Sequence, residues 1–316
     1  MGYQVKRPSI FAAAALSALA SLPAEAQESA GAPVNAEAPP RRAVGADFFV
    51  STDADNTDVF RAGLNLDLRY RDRQDYLGVR AEKAWYRPLG QETVGKERVF
   101  LRYADTGGHW AWNTQVGTDG DTVIGAASIH DDAAFRKEFF IERDIVETPR
   151  GVKEGIYYTF AGAAIDLPLS DRDTFTLVAG AQEFTGRNVR LHARASYVHV
   201  VKSEWGLSAQ LRTRYFHSTR PGEYDYYSPR WYAQVLPVLQ VRRYRGGWRY
   251  MAAGGVGAQR DAVSDWRASY YAAAEVTSPE VGRSWYLKAS LQYNNIPQNS
   301  GAYDYGQAML AISRAF

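Results

Sequence analysis

Five histidines and no cysteine are what this 316-residue chain offers for proton transfer and soft-metal chemistry near neutral pH. The missing cysteine excludes a disulfide framework, a thiolate metal site, a cysteine nucleophile and a lipid-modified N-terminal cysteine. Among the histidines, His199 shares the outward parity of Tyr197 near a strand end, and His217 sits with Ser218 and Thr219 in a loop. His130 is beside Asp131 and Asp132, a cluster that reads more plainly as a polar turn than as a metal site. His192 lies between Arg190 and Arg194 on a polar face, where solvating an interior suits it better than catalysis. None of these spacings forces a nucleophile or a second ligand into reach. No catalytic set, metal or cofactor is expected.

What the chain has in quantity is arginine at alternate positions. In the run from Val59 to Arg71, Phe60, Ala62, Leu64, Leu66, Leu68 and Tyr70 interleave with Arg61, Gly63, Asn65, Asp67, Arg69 and Arg71. A period of two held for that length describes a tall strand with one greasy and one charged face. The pattern returns where Val189, Leu191, Ala193, Ala195 and Tyr197 oppose Arg190, His192, Arg194 and Ser196. It returns again where Trp205, Leu207, Ala209, Leu211 and Tyr215 oppose Ser208, Gln210, Arg212 and Arg214. A β-sandwich or solenoid in water also alternates, but its strands are usually shorter, about five or six residues.

The two ends of the chain indicate where such strands reside. Lys6 and Arg7, the apolar run Ile10 to Leu22, and Ala24-Glu25-Ala26 have the form of a secretory leader over 1–26. Residues 27–43, rich in Ala, Pro and Glu without any period, read as a disordered periplasmic tail. Removing the leader takes two from 37 basic and one from 35 acidic residues, for a formal charge of +1, which argues against a nucleic-acid partner. The last residue is Phe316, at the end of an alternating strand, as in outer-membrane barrels, and it is read as the membrane-assembly signal. Beyond the leader no apolar stretch approaches the roughly 20 residues of a membrane helix. With 21 tyrosines and 8 tryptophans suited to the headgroup level, the expectation is an all-β, transmembrane, antiparallel up-and-down barrel over 44–316. Its partners would be outer-membrane lipid of a Gram-negative bacterium and the barrel-assembly machinery.

Turn signals divide that span into about 16 strands, an even number that leaves both ends in the periplasm. The short connections RDRQD, DTGG, HDDAA, LSDRD, KSE, YRGG and SPEVGR then fall on one rim. STDADNTD, RPLGQETVGKE, HSTRPGEYDYYSP and NNIPQNSGAYD fall on the other, the outer one. No loop reads as a plug domain or as an element folded into the pore. By parity the inner wall carries Arg61, Asn65, Asp67, Arg69, Arg71, Arg80, Glu82, Arg102, Glu138, Glu142, Arg190, His192, Arg194, Gln210, Arg212 and Arg214. These side chains either pair across strands or bind cargo. A barrel of about 16 strands leaves an aqueous channel, so a conduit is the default function. The candidates are an exporter, a diffusion porin for small anionic solutes, a surface receptor or structural barrel without flux, and, last, a lipid-modifying enzyme.

The segment from Glu223 resembles the late strands of the exopolysaccharide export porins, the outer-membrane barrels of bacterial cellulose synthase and of poly-N-acetylglucosamine export. The likeness rests on Tyr227-Ser228-Pro229 leading into a strand, Pro237 further along and Trp248 heading the partner strand. The stretch from Phe184 to Tyr197, with Asn188 and Arg190, is also similar to strand openings of that group. The resemblance spans about Glu138 to Phe316 and implies export of a cellulose-like or poly-N-acetylglucosamine-like chain. It also implies an inner-membrane glycosyltransferase as partner. Those exporters carry a large periplasmic array of helical repeats that this sequence lacks, which implies a separate scaffold protein or a different cargo.

Overall fold

The computed structural model describes residues 41–53, 57–88, 90–279, 284–295 and 304–316. The leader and most of the tail expected from the sequence lie outside the described residues. The strands are β1 (Arg41–Asp53), β2 (Asp58–Asp72), β3 (Asp75–Arg87), β4 (Val94–Asp105), β5 (Trp110–Thr118), β6 (Val123–Asp131), β7 (Lys137–Ile145) and β8 (Tyr157–Pro168). They continue as β9 (Asp173–Phe184), β10 (Val189–Lys202), β11 (Leu207–Ser218), β12 (Trp231–Arg245), β13 (Trp248–Asp261), β14 (Arg267–Thr277), β15 (Trp285–Asn294) and β16 (Tyr305–Ala315). A one-turn helix, α1 (Pro149–Glu154), lies between β7 and β8. Every strand pairs antiparallel with its sequence neighbours, and β16 returns to β1 to close the barrel.

The seam shows why the last residue matters structurally. Ala43 faces Ala315 and Phe49 faces Met309 across β1 and β16. Beyond the last strand residue, Phe316 N–H donates to the Arg42 carbonyl at 2.9 Å and Arg42 N–H donates to the Phe316 carbonyl at 3.2 Å. The Phe316 ring stays outside, 63% exposed. β1 thus takes in Arg41, Arg42 and Ala43, which the sequence reading gave to the tail. Trp205, read as the first residue of β11, belongs instead to a 3-10 turn, Ser203–Trp205, closed by Gly206 with positive φ. His130 is a residue of β6, not of a turn.

Strand parity runs as the alternating runs of sequence require, except in β2 past the bulge between Asp67 and Arg69. Leu64, Leu101 and Leu239 are 67%, 68% and 61% exposed, while Arg61 and Gln210 are 4% exposed. A surface of exposed leucines around a closed ladder is stable only in lipid, where no backbone group remains unpaired. Aromatic contacts mark both rims of that surface, with Phe60 against Trp85 at 5.3 Å on one and Trp248 against Trp285 at 6.1 Å on the other. On the rim of Trp248 the turns are tight. Asp72 Oδ1 caps the amides of Gln74 and Asp75 at 2.6 and 3.0 Å, and Gly246 and Gly247 at φ 58° and 80° make the two-residue hairpin before β13. Pro237 has no N–H for the ladder, and the pairing of β12 with β13 lapses between Val235 and Val238. Opposite it, a Cβ on Gly255 would meet the Pro237 carbonyl oxygen at 2.4 Å, so only glycine lets the strands close there.

Placing arginine at Leu64 or Leu191, near mid-strand on the outer face, should cost about 2 to 4 kcal/mol of folding stability, whereas Asn65→Arg on the inner face should cost much less. Denaturant titration of the refolded barrel in lipid vesicles measures the difference, and equal costs at the two faces would invert the parity.

Candidate functional site

The interior contains two kinds of wall. Along β1 to β4 and β7, cations and carboxylates interlock. Arg80 donates to Asp47 and to Glu82, the latter at 2.5 Å. Arg98 joins Glu82 at 2.8 Å to Asp144 at 2.5 Å, and Arg102 pairs with Asp67 at 3.0 Å. A second network lies farther round, where Glu275 takes Arg249 at 2.6 Å and Lys288 at 3.0 Å. Burying a charge is costly unless it is paired and hydrogen-bonded, and here each cation has its carboxylate.

Two of the described loops on the long-loop rim fold into the barrel. The loop carrying α1 turns inward, contrary to the expectation that no loop enters the pore. Thr148 caps α1 by accepting from Gly151 N–H at 3.0 Å, Pro149 occupies the first turn, and Gly155 at φ 68° ends it. Val152 of α1 joins an apolar cluster with Phe49, Val59, Tyr86, Phe100 and Ile124, which point inward from β1, β2, β3, β4 and β6. Glu147, just before the helix, is ion-paired with Arg61 on β2, both fully shielded. That pair spans the pore, since five strands separate β2 from β8.

A second loop, 219–230, enters beside it. The Tyr226 ring stacks on Phe184 at 4.2 Å, and its hydroxyl accepts from Asn188 Nδ2 at 3.0 Å. Tyr227 packs edge-on against Phe216 and Tyr232, and its hydroxyl donates to Asp261 at 2.5 Å. The loops meet at Asp225, which accepts from the Thr148 hydroxyl at 2.7 Å and from Arg150 N–H at 2.8 Å. On the same rim, Asp119 accepts from Tyr157 Oη at 2.6 Å and from the Asp121 and Thr122 amides at 3.2 Å each. Burial works against its charge, yet these donors outweigh burial and hold its carboxyl below the ordinary aspartate range.

The β10–β11 wall, under the loop 219–230, is of the other kind. Arg194 and Arg214 stand directly opposite each other in the ladder. Arg190 donates to the Tyr227 carbonyl and lies over the Phe216 ring at 4.5 Å and the Phe184 ring at 5.0 Å. Arg212 donates to Gln210 Oε1 at 2.8 and 2.9 Å and lies over Tyr271 at 4.8 Å. His192 Nε2 is 3.1 Å from Gln182 Oε1, and its ring sits between Phe160 and Phe216. None of the four arginines is ion-paired to a described carboxylate.

Most of the expected lining residues stand on the inner surface and divide between two settings. Arg61, Asp67, Arg80, Glu82 and Arg102 belong to the paired wall, with Asn65 bonded to Asp47 at 3.2 Å. Arg69 and Arg71, expected on the inner wall, lie past a bulge between Asp67 and Arg69 that sets Arg69 opposite the outward Leu77 and over Tyr103 at 5.9 Å, and both reach Asp75 at the tight-turn rim. Arg190, His192, Arg194, Gln210, Arg212 and Arg214 form the other. Glu142 is engaged by the Tyr158 hydroxyl and Glu138 by Arg136 at 2.8 Å. Of the residues of the export-porin resemblance, Asn188, Tyr227 and Ser228 fix the inward loop, the Ser228 hydroxyl accepting from Gly222 N–H at 3.0 Å. Pro229 is buried beside them, while Pro237 and Trp248 lie on the barrel's outer side. Glu147, Asp225 and Tyr226 escaped the sequence reading because loop residues follow no period. The sequence Thr148-Pro149 with Gly155 six residues on was a legible helix signal.

No protein-family model matches the chain, and no curated protein matches it. Among solved structures, the fold is similar to a bacterial polysaccharide outer membrane secretin, with a TM-score of 0.67 at 12% identity over 89% of this chain and 100% of that one. Pseudomonas aeruginosa OccK5 (OpdH) aligns with a TM-score of 0.43 at 9% identity over 88% and 98% of the two chains. OmpT of Vibrio cholerae aligns with a TM-score of 0.43 at 7% identity over 90% and 100%. The first of these likenesses is one of fold, a closed barrel that accounts for the whole of the other chain.

Asp225→Ala removes both bonds between the inward loops, and Tyr226→Ala removes the stack on Phe184. Each should raise single-channel conductance in planar bilayers and expose a cysteine placed at Gln182 to a water-soluble thiol reagent from the loop side. Unchanged conductance and labelling in both would show that the loops do not close the mouth.

Proposed function

We propose that this protein is an outer-membrane channel that carries a polysaccharide to the cell surface, with transport and not catalysis as its role. The observation that carries the reading is the chemistry of the interior. Guanidinium, amide, hydroxyl and aromatic groups follow one another along the inner wall, and a sliding sugar chain needs many replaceable partners of these kinds, each weak enough to release it. The inward loops support it too, because a polymer conduit must be shut when no chain occupies it. The likeness of fold to the polysaccharide secretin barrel is consistent with this, and the sequence resemblance points to a cellulose-like or poly-N-acetylglucosamine-like chain. Its partners would then include a periplasmic scaffold protein and an inner-membrane glycosyltransferase. The second reading, a diffusion porin for small anions, is favoured by the β10–β11 arginines.

Deleting the gene should abolish or sharply reduce secreted polysaccharide, and the purified channel should show current block by oligosaccharides in planar bilayers. Secretion that continues undiminished in the deletion strain would overturn export and leave the diffusion porin.

A further inference from the structure

The paired wall sets a standard against which β10 and β11 stand out. Wherever else an arginine is buried inside this barrel it meets a carboxylate, yet Arg190 and Arg214, 4% and 8% exposed, meet none among the described residues. Arg194 and Arg214 are placed directly across the ladder, an arrangement in which like charges repel. On the paired wall Arg61 and Arg80 leave only Nε unbonded, but here Arg194 Nη2 and Arg214 Nη1, besides Nε, have no described hydrogen-bond partner. The same is true of Ser196 Oγ, Ser218 Oγ and Gln210 Nε2 on these two strands. Ser196 is opposite Arg212 and Ser218 is opposite Arg190, so the unsatisfied groups form one patch. Glu142 on β7 accepts from the Tyr158 hydroxyl and forms no ion pair with Arg194.

A buried cation without a counter-charge is strongly destabilising, and an isolated unsatisfied polar atom in a native structure calls for a cause. A run of both, held in place by rings, describes a binding surface. The guanidiniums supply planar two-pronged donors that match a carboxylate, and the serine hydroxyls and the Gln210 amide match sugar hydroxyls. Phe184, Phe216, Tyr226 and Tyr232 are buried beneath the guanidiniums of Arg190 and Arg214 and hold them in place.

We propose that the β10–β11 wall is a binding site for the carboxylate groups of an acidic polysaccharide, a chain containing uronic acid or an equivalent anionic sugar. The site rests on the channel reading above and makes its polysaccharide an anionic chain, in place of the cellulose-like one to which the sequence resemblance points. A polymer bearing a carboxylate at each repeat engages several of the arginines at once. The gain over a small anion then comes from effective concentration, not from a tighter single contact.

The test is calorimetric titration of the detergent-folded full barrel with an oligogalacturonate, with a cello-oligosaccharide of equal length and with acetate. The pair variant R194Q/R214Q removes the two directly opposed cations, and a second variant, R212Q, relieves one cation at the edge of the patch. Heat-modifiable migration on gels reports folding of each. Expected are binding of the oligogalacturonate weakened about tenfold or more in the pair variant and less in R212Q, a fall in affinity with added salt, and much weaker binding of the other two ligands. Oligogalacturonate binding that the folded variants leave intact, or cello-oligosaccharide binding as tight, would overturn the proposal. Acetate binding with the affinity of the oligomer would overturn the polymeric cargo. Failure of the export reading is separate, because it shows as undiminished secretion in the deletion strain while oligogalacturonate binding persists.

Discussion

Closure of the backbone ladder is the constraint on which everything else in this molecule depends. In lipid an unpaired amide or carbonyl has no water to turn to, so a sheet survives only if its first and last strands find each other. The bonds between Arg42 and Phe316 are the end of that closure, and the alternation of every strand follows from it. Once the sheet is closed, one face must be apolar and the other is free to be anything. The interior of this protein uses that freedom twice, for an interlocked wall of ion pairs and for a wall of unanswered arginines.

Most of the barrel was legible in the sequence because its cause is local. A period of two, punctuated by Asp, Gly and Pro clusters, fixes strand number, turn placement and side-chain direction without reference to distant residues. Leu64 against Asn65 and Leu211 against Gln210 needed no more than that. The edges were less clear. Arg41 to Ala43 look like tail by composition and are strand only because β16 is there to pair with them.

The mouth was not legible, and the reason is equally physical. Which way a loop folds depends on what the far wall offers, and Glu147 has its place because Arg61 stands across the pore. The aromatic run around Tyr226 and Tyr227 was visible only as a family resemblance, although its density in a loop hinted at burial. Likewise, parity put inner arginines of both kinds into one set and passed over Arg98 and Arg249. Only the folded arrangement separated those with a carboxylate from those without.

The bridge between Arg61 and Glu147 joins residues 86 positions apart in the chain. It also joins the second hairpin strand to the midpoint of the molecule, and that has a consequence for biogenesis. While the sheet is still a flat or gently curled ribbon, the two groups are on the same face but many strand widths apart, and α1 has nothing to dock against. The loop can settle only after the first half of the barrel has curved through most of its arc. The docking of α1 is therefore a report on the curvature of β1 to β7, and no strand beyond them is needed to hold it.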